Sequence, residues 1–237
     1  MAGFAVIKPS YIQIKEAMCM YTVQNLYDLT HSMAGDYLLR FTYPWEALKG
    51  IKELIVTLGQ SLNKDEYTEV EPTVWVHNTA KIAPTAYLGA PCIIGAGTEV
   101  RHCAFIRGSA LVGEGCVVGN SVELKNVILF DGVQVPHYNY VGDSILGYKA
   151  HMGAGSITSN VKSDKSLVVV HGDTHIPTGL KKMGAMLGDF VEVGCNSVLN
   201  PGTVIGRNSN VYPTSSVRGV VPANSIHKKD GTVVTKR

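Results

Sequence analysis

The stretch Cys92-Ile93-Ile94-Gly95-Ala96-Gly97-Thr98-Glu99-Val100-Arg101-His102-Cys103-Ala104-Phe105-Ile106 puts a large apolar residue at 94, 100 and 106 and a small one at 92, 98 and 104. The same phase starts at Val76, Ile82 and Leu88 and continues through Val112, Val118, Leu124 and Phe130. It resumes at Leu146 and Met152, then runs from Leu187 through Val193, Leu199, Ile205 and Val211 to Val217. A six-residue period fits neither a 3.6-residue helix nor an unbroken two-residue strand. It fits short strands joined by tight corners, each sending one apolar side chain to a common axis, with stacked rungs sharing a core. Glycine often follows the large residue, as at Gly89, Gly95, Gly113, Gly119 and Gly194. The reading assigns these glycines to corners, where left-handed backbone costs them little. The expected fold is mainly β, a parallel β-helix of hexapeptide repeats.

At 237 residues the chain supports one sizeable core and a small appendage. A net charge of +2 gives no case for nucleic acid or a membrane surface as partner. No apolar run approaches the roughly 20 residues of a membrane span, and Met1-Ala2-Gly3-Phe4 does not open like a secretion signal. The five cysteines form no CxxC pair. Cys92 and Cys116 occupy the small interior slot, where a thiol acts as a small hydrophobe. A reduced, cytoplasmic setting is expected.

Three segments are expected: a partly helical N-terminal region over 1–70, the repeat over 71–221 with an inserted loop over 159–186, and a basic tail over 222–237. Leu48, Ile51, Ile55 and Leu58 share one helical face between Pro44 and Gly59, with proline suiting the start and glycine the stop. Tyr11 to Leu29 is a weaker helix candidate, 63–66 reads as a linker, and the first rung is expected near Val74. The repeat breaks between Phe130 and Leu146, at Val135-Pro136-His137-Tyr138-Asn139-Tyr140-Val141-Gly142-Asp143, and again between Thr158 and Leu187. Insertions in repeat proteins often line the binding face, so function is sought there.

Arg107 and Lys125 each follow an interior residue where a small one is usual, three hexads apart. If three hexads make one coil, the two cations stack on one corner, a fork of donors beside a compact charge that suits a phosphate. A solvated pair of surface charges is the alternative. His137 suits a general base near neutral pH, with Glu123 expected to orient it from about a coil below. Tyr140 and Asn160 lie nearby in phase. The corner Gly153-Ala154-Gly155 offers backbone N–H groups for an oxyanion.

The hexads, Arg107, Glu123-Leu124-Lys125, the segment from His137 to Asp143, and Gly153-Ala154-Gly155-Ser156-Ile157-Thr158-Ser159-Asn160 together resemble the acetyltransferase half of the bifunctional UDP-N-acetylglucosamine pyrophosphorylase/glucosamine-1-phosphate acetyltransferase family. The similarity covers about 85–225. It implies a left-handed β-helix, a homotrimer with sites between subunits, and acetyl-CoA as acyl donor. It implies His137 as catalytic base, Arg107, Lys125 and Tyr140 as sugar-phosphate contacts, and Asn160 as a sugar contact. It sets acetyl-CoA along late coils near Cys195 and Pro213; Ala154 is grouped with these cofactor-binding residues, and the cations Arg218, Lys228 and Lys229 that follow the last coil are expected to help. His151 stands where bacterial members usually carry a substrate-contacting Asn, and Val161 replaces a Tyr. Lys165, in the long insertion, is grouped with the substrate-binding residues. Thr178-Gly179-Leu180-Lys181-Lys182-Met183-Gly184-Ala185 looks more like archaeal sugar-phosphate acyltransferases.

The resulting expectation is a monofunctional acetyl-CoA-dependent N-acyltransferase acting on an amino-sugar phosphate, glucosamine-1-phosphate-like, without the nucleotidyltransferase half. A non-catalytic trimeric scaffold, or regulatory partner of a separate nucleotidyltransferase, is the alternative. A zinc hydratase is the third reading, but His137, His151, His171 and His175 show no triple spacing, so no metal is expected.

Overall fold

The computed structural model describes residues 21–236. Its main body is a left-handed parallel β-helix of about nine turns. Val74 pairs with Cys92 and Cys92 with Ala110, so three hexads close one coil. Each coil has three short strands on three faces. The first face stacks Lys81–Ile82, Glu99–Val100, Val117–Asn120, Gln134–His137, His151–Met152 and Glu192–Val193. The second stacks Tyr87–Leu88, Phe105–Ile106, 123–125, 140–142, Ile157–Thr158 and Val198–Leu199. The third stacks Val74–His77, Cys92–Ile94, Ala110–Val112, 127–129, 144–146 and Ala185–Leu187.

The large hexad residues point inward and are fully buried, among them Ile94, Ile106, Leu124, Leu146 and Leu199. Each such side chain taken from water contributes roughly 1.5–3 kcal/mol, which is why the period dictates the coil. The small slot is interior too. Burial pushes the Cys92 and Cys116 thiols up to about 12, so both remain unreactive.

The hexad glycines do a different job from the one expected. They have no left-handed backbone; a Cβ on Gly95 would stand 2.5 Å from Gly113 C, and one on Gly188 would stand 2.8 Å from Arg207 N. Their role is close approach between successive coils. The left-handed corners are mostly held by side-chain-bearing residues, including Ser109, Ser121, Asn126, Tyr138, Asp143 and Asn196.

The first phase shift also lies earlier than the sequence indicates. Leu124 sits above Ile106, 18 residues on, but Leu129 sits above Val112, so the corner at Asn126 is one residue shorter than the one below it. The corner at Asp143 is equally short, with Leu124 paired to Val141 and Leu129 to Leu146. Leu129, not Phe130, takes the interior slot. Phe130 is buried and packs against Tyr27 of the N-terminal region, ring centroids 5.0 Å apart.

The N-terminal region is stitched to the solenoid and shares its hydrophobic core. Val23–Leu26 is a short helix and Leu29–His31 a 3-10 turn; the rest of the weaker helix candidate, before Tyr21, lies outside the described residues. Pro44–Gly50 is 3-10 and leads into the helix Ile51–Ser61, which runs past the expected stop at Gly59. That glycine is where the Trp75 ring presses on the helix. Asp189, fully buried, ties the ends together: it accepts from Asp28 N–H at 2.7 Å and Tyr148 N–H at 2.8 Å and pairs with Arg207 at 2.6 Å. Tyr67–Glu71 forms a hairpin with Val74–His77, so strand structure starts before the first coil. The insertion leaves after Thr158 and carries its own hairpin, Val169–His171 with His175–Pro177. It lies back on later coils, with Val168 and Val170 buried and Gly202 making room beneath Val168.

Candidate active site

The second face and its two edges hold most of the polar residues picked out in the sequence. On the edge shared with the first face, His137 stands above Asn120. Gly155 N–H donates to His137 O at 3.0 Å, Asn196 N–H to Ala154 O at 2.8 Å, and Thr214 N–H to Cys195 O at 2.8 Å. Ala154, Cys195 and Pro213 therefore continue the His137 column, one coil after another. In the corner itself, Gly153 N–H is taken by Val193 O and Gly155 N–H by His137 O. Ala154 N–H has no carbonyl acceptor among the described residues, so it is the donor left for an oxyanion.

Asn139 builds this edge and was not singled out in the sequence. It is 2% exposed; its Oδ1 accepts from His137 N–H at 3.1 Å, and its Nδ2 donates to Gly153 O at 2.9 Å and Ser156 O at 3.0 Å. One buried amide thus fixes the backbone of His137 against the corner carrying Ala154.

On the opposite edge, Arg107 and Lys125 stack one coil apart, as Ile106 pairs with Leu124 and Arg107 N–H donates to Leu124 O at 2.8 Å. Lys125 Nζ lies 3.6 Å from Asp143 Oδ2. Asp143 is a hub that the sequence reading quoted but gave no role. It is 5% exposed, accepts from Asn126 Nδ2 at 2.9 Å on Oδ1 and from Asn160 Nδ2 on Oδ2. Asn160 Nδ2 also donates to the Tyr140 hydroxyl at 3.2 Å. Burial first, then the Asp143 and Glu123 carboxylates, raise the Tyr140 phenol above its ordinary range, so it stays a neutral donor. Beside the two shortened corners is a cleft of about 340 Å³. Its lining includes Arg107, Ser109, Lys125, Asn126 and Asp143, together with Lys52 from the helix Ile51–Ser61. No periodicity pointed to Lys52, because a fold-level contact brings it there.

Other expectations are met differently. Glu123 makes no contact with His137: its Oε1 accepts from Arg107 Nη1 at 2.8 Å, because the coil register sets Glu123 beside that guanidinium and above Phe105. His151 lies on the first face, above Gln134, with Nδ1 2.7 Å from Glu192 Oε2, and does not join the second-face cluster. Lys165 sits in a left-handed turn closing on Lys162, while the Asn160 amide bonds Tyr140 and Asp143 instead. Arg218 Nη2 donates to Asn200 Oδ1 at 3.3 Å on the Lys125 edge, so it does not join Cys195 and Pro213. Lys228 and Lys229 follow His227, whose carbonyl accepts from Tyr212 N–H at 2.9 Å, and so lie next to the coil of Pro213. In the insertion, His171 and His175 have Nδ1 atoms 3.1 Å apart, and among the described residues no third ligating side chain joins them. No helix in the described residues is long and apolar enough to cross a membrane.

No family model matches the chain. It is 35% identical over 226 residues to a bifunctional protein GlmU of Trichormus variabilis, covering 95% of this chain and 42% of that protein. It is 30% identical over 178 residues to the bifunctional sugar-1-phosphate nucleotidylyltransferase/acetyltransferase of Sulfurisphaera tokodaii, covering 73% of this chain and 44% of that one. The chain thus spans less than half the length of these relatives. A solved hexapeptide transferase family protein from Anaplasma phagocytophilum matches at 16% identity with a TM-score of 0.39, over 68% of this chain and 78% of that one. In sequence and in its β-helix the chain is similar to the left-handed β-helical acetyltransferase domain of these GlmU relatives.

Proposed function

We propose that the chain transfers an acetyl group from acetyl-CoA to the amino group of a hexosamine phosphate, as an N-acyltransferase. One observation carries this reading: a single solenoid face has His137 on one edge, below the Ala154–Cys195–Pro213 column, and stacked cations on the other. The column suits an extended thioester donor, and the cationic edge suits the acceptor's phosphate. Tyr140 and Asn160, between them, suit sugar hydroxyls.

The chemistry needs little more. The acceptor amine attacks the thioester carbonyl as the His137 imidazole takes its proton. Ala154 N–H holds the developing oxyanion. Collapse expels the CoA thiolate, which recovers the proton from His137 and leaves as the thiol. The face is open to water on its outer side, so a homotrimer, whose neighbouring copy covers each face, would strengthen the phosphate contacts.

The test is to incubate the protein with acetyl-CoA and a panel of amino-sugar phosphates while measuring free thiol. Thiol release that requires both the amine and the phosphate supports the reading. Absence of release across the panel overturns it and favours a scaffold role.

A further inference from the structure

We infer that Lys52, from the N-terminal helical region, is a third cation of the acceptor-phosphate cleft and sets its preference for phosphorylated acceptors; the inference rests on the function proposed above. Arg107 and Lys125 both face carboxylates already, Glu123 and Asp143 respectively. The Lys52 side chain forms no ion pair and no hydrogen bond among the described residues, yet it lines the same cleft. Lys52, Arg107 and Lys125 face two carboxylates, Asp143 in the cleft lining and Glu123 on Arg107, which leaves an excess of one positive charge. Asp143 also accepts hydrogen bonds from two amide donors, of Asn126 and Asn160, which occupy its oxygens from within the protein. A dianionic phosphate is the simplest ligand for that excess.

The position of Lys52 is held from several sides. The preceding residue, Ile51, is fully buried, and Leu48 is nearly so. Leu48 O accepts from Asn126 Nδ2 at 3.2 Å, so the same asparagine that steadies Asp143 also ties down the lead-in to the helix. Tyr37 O–H donates to Ala47 O at 2.8 Å, bracing that lead-in from the outside. The cleft is therefore walled by two segments far apart in sequence. In that arrangement the N-terminal region is part of the acceptor site.

Direct binding separates this proposal from the reaction itself. Glucosamine-1-phosphate and glucosamine are titrated calorimetrically into wild type, Lys52→Ala, Lys52→Glu and Lys52→Arg, with thiol release measured in parallel. Loss of one charge-assisted contact should weaken glucosamine-1-phosphate binding about tenfold in Lys52→Ala. Lys52→Glu should weaken it further and Lys52→Arg should largely restore it. Glucosamine binding and the melting temperature should stay at wild-type values, because Lys52 is exposed and its loss removes only the phosphate contact. Equal affinity of wild type and Lys52→Glu for glucosamine-1-phosphate would overturn the proposal, as would an equal loss for glucosamine. A wild type that binds the sugar phosphate but releases no thiol would instead overturn the acyl-transfer reading alone.

Discussion

Glu123 Oε1 accepts a hydrogen bond from Arg107 Nη1 at 2.8 Å, so one of the two stacked cations is already held by a carboxylate. An incoming phosphate must compete with Glu123 for that guanidinium. Glu123→Gln should therefore bind glucosamine-1-phosphate several-fold more tightly, since it removes a negative charge next to the phosphate position. Calorimetric Kd values check this. An unchanged Kd with a collapsed turnover would instead assign Glu123 to orienting His137.

His137→Ala should lower turnover by at least about a hundredfold, the lower range for a positioned base. Its side chain is exposed and forms no hydrogen bond among the described residues, so the melting temperature and acetyl-CoA affinity should stay close to wild type. Wild-type turnover in the variant would end the mechanism proposed here.

Asn139→Ala should be destabilising as well as inactivating. It strands the His137 N–H and the Ser156 carbonyl, a loss of about 2 kcal/mol. For a chain of this size that corresponds to roughly 4–8 °C in Tm. Thermal unfolding and turnover together provide the check; a Tm at the wild-type value would show that Asn139 does not hold the corner.

The two groups of late cations should behave differently. Lys228→Ala with Lys229→Ala should raise the KM for acetyl-CoA roughly two- to fivefold, a typical effect for exposed charges. Arg218→Ala should leave that KM unchanged, since Arg218 bonds Asn200 on the far edge. Steady-state kinetics with varied acetyl-CoA separates them, and a matching rise in Arg218→Ala would refute the assignment by edges.

Stability should fall on the acid side of neutrality because of His227. It is 7% exposed with Nδ1 unpartnered, and burial holds its imidazole below the usual range. A base depressed in the folded state stabilises the fold fully above its unfolded pKa, near 6.5. That contribution is lost as pH falls from there toward the lower folded value. Tm measured from pH 7.5 to 5 should decline less steeply in His227→Leu than in wild type. Parallel curves would exclude His227 as the cause.

The hexad phase was legible because every coil repeats the same local problem, one large residue inward and one small residue beside it, at Ile94, Ile106 and Leu124 alike. The stacking of Arg107 over Lys125 followed from counting three hexads. The glycine role was misread, because a six-residue period does not distinguish a left-handed corner from a close backbone contact, and only the next coil shows which applies. The shift at Asn126 was hidden by Phe130, an apolar residue in an apparent hexad slot that packs against Tyr27 of the N-terminal region.

The sequence by itself determined the β-helix and the stacking of the two cations on one edge. Both depend on spacing along the chain, which a repeat converts directly into position. Tertiary structure alone decided which carboxylate Arg107 faces, that Asp143 gathers Asn126, Asn160 and Lys125, and that Lys52 enters their cleft. Those outcomes depend on the length of two corners and on how a helix outside the repeat packs against them. They are set by contacts between distant segments, for which spacing carries no signal.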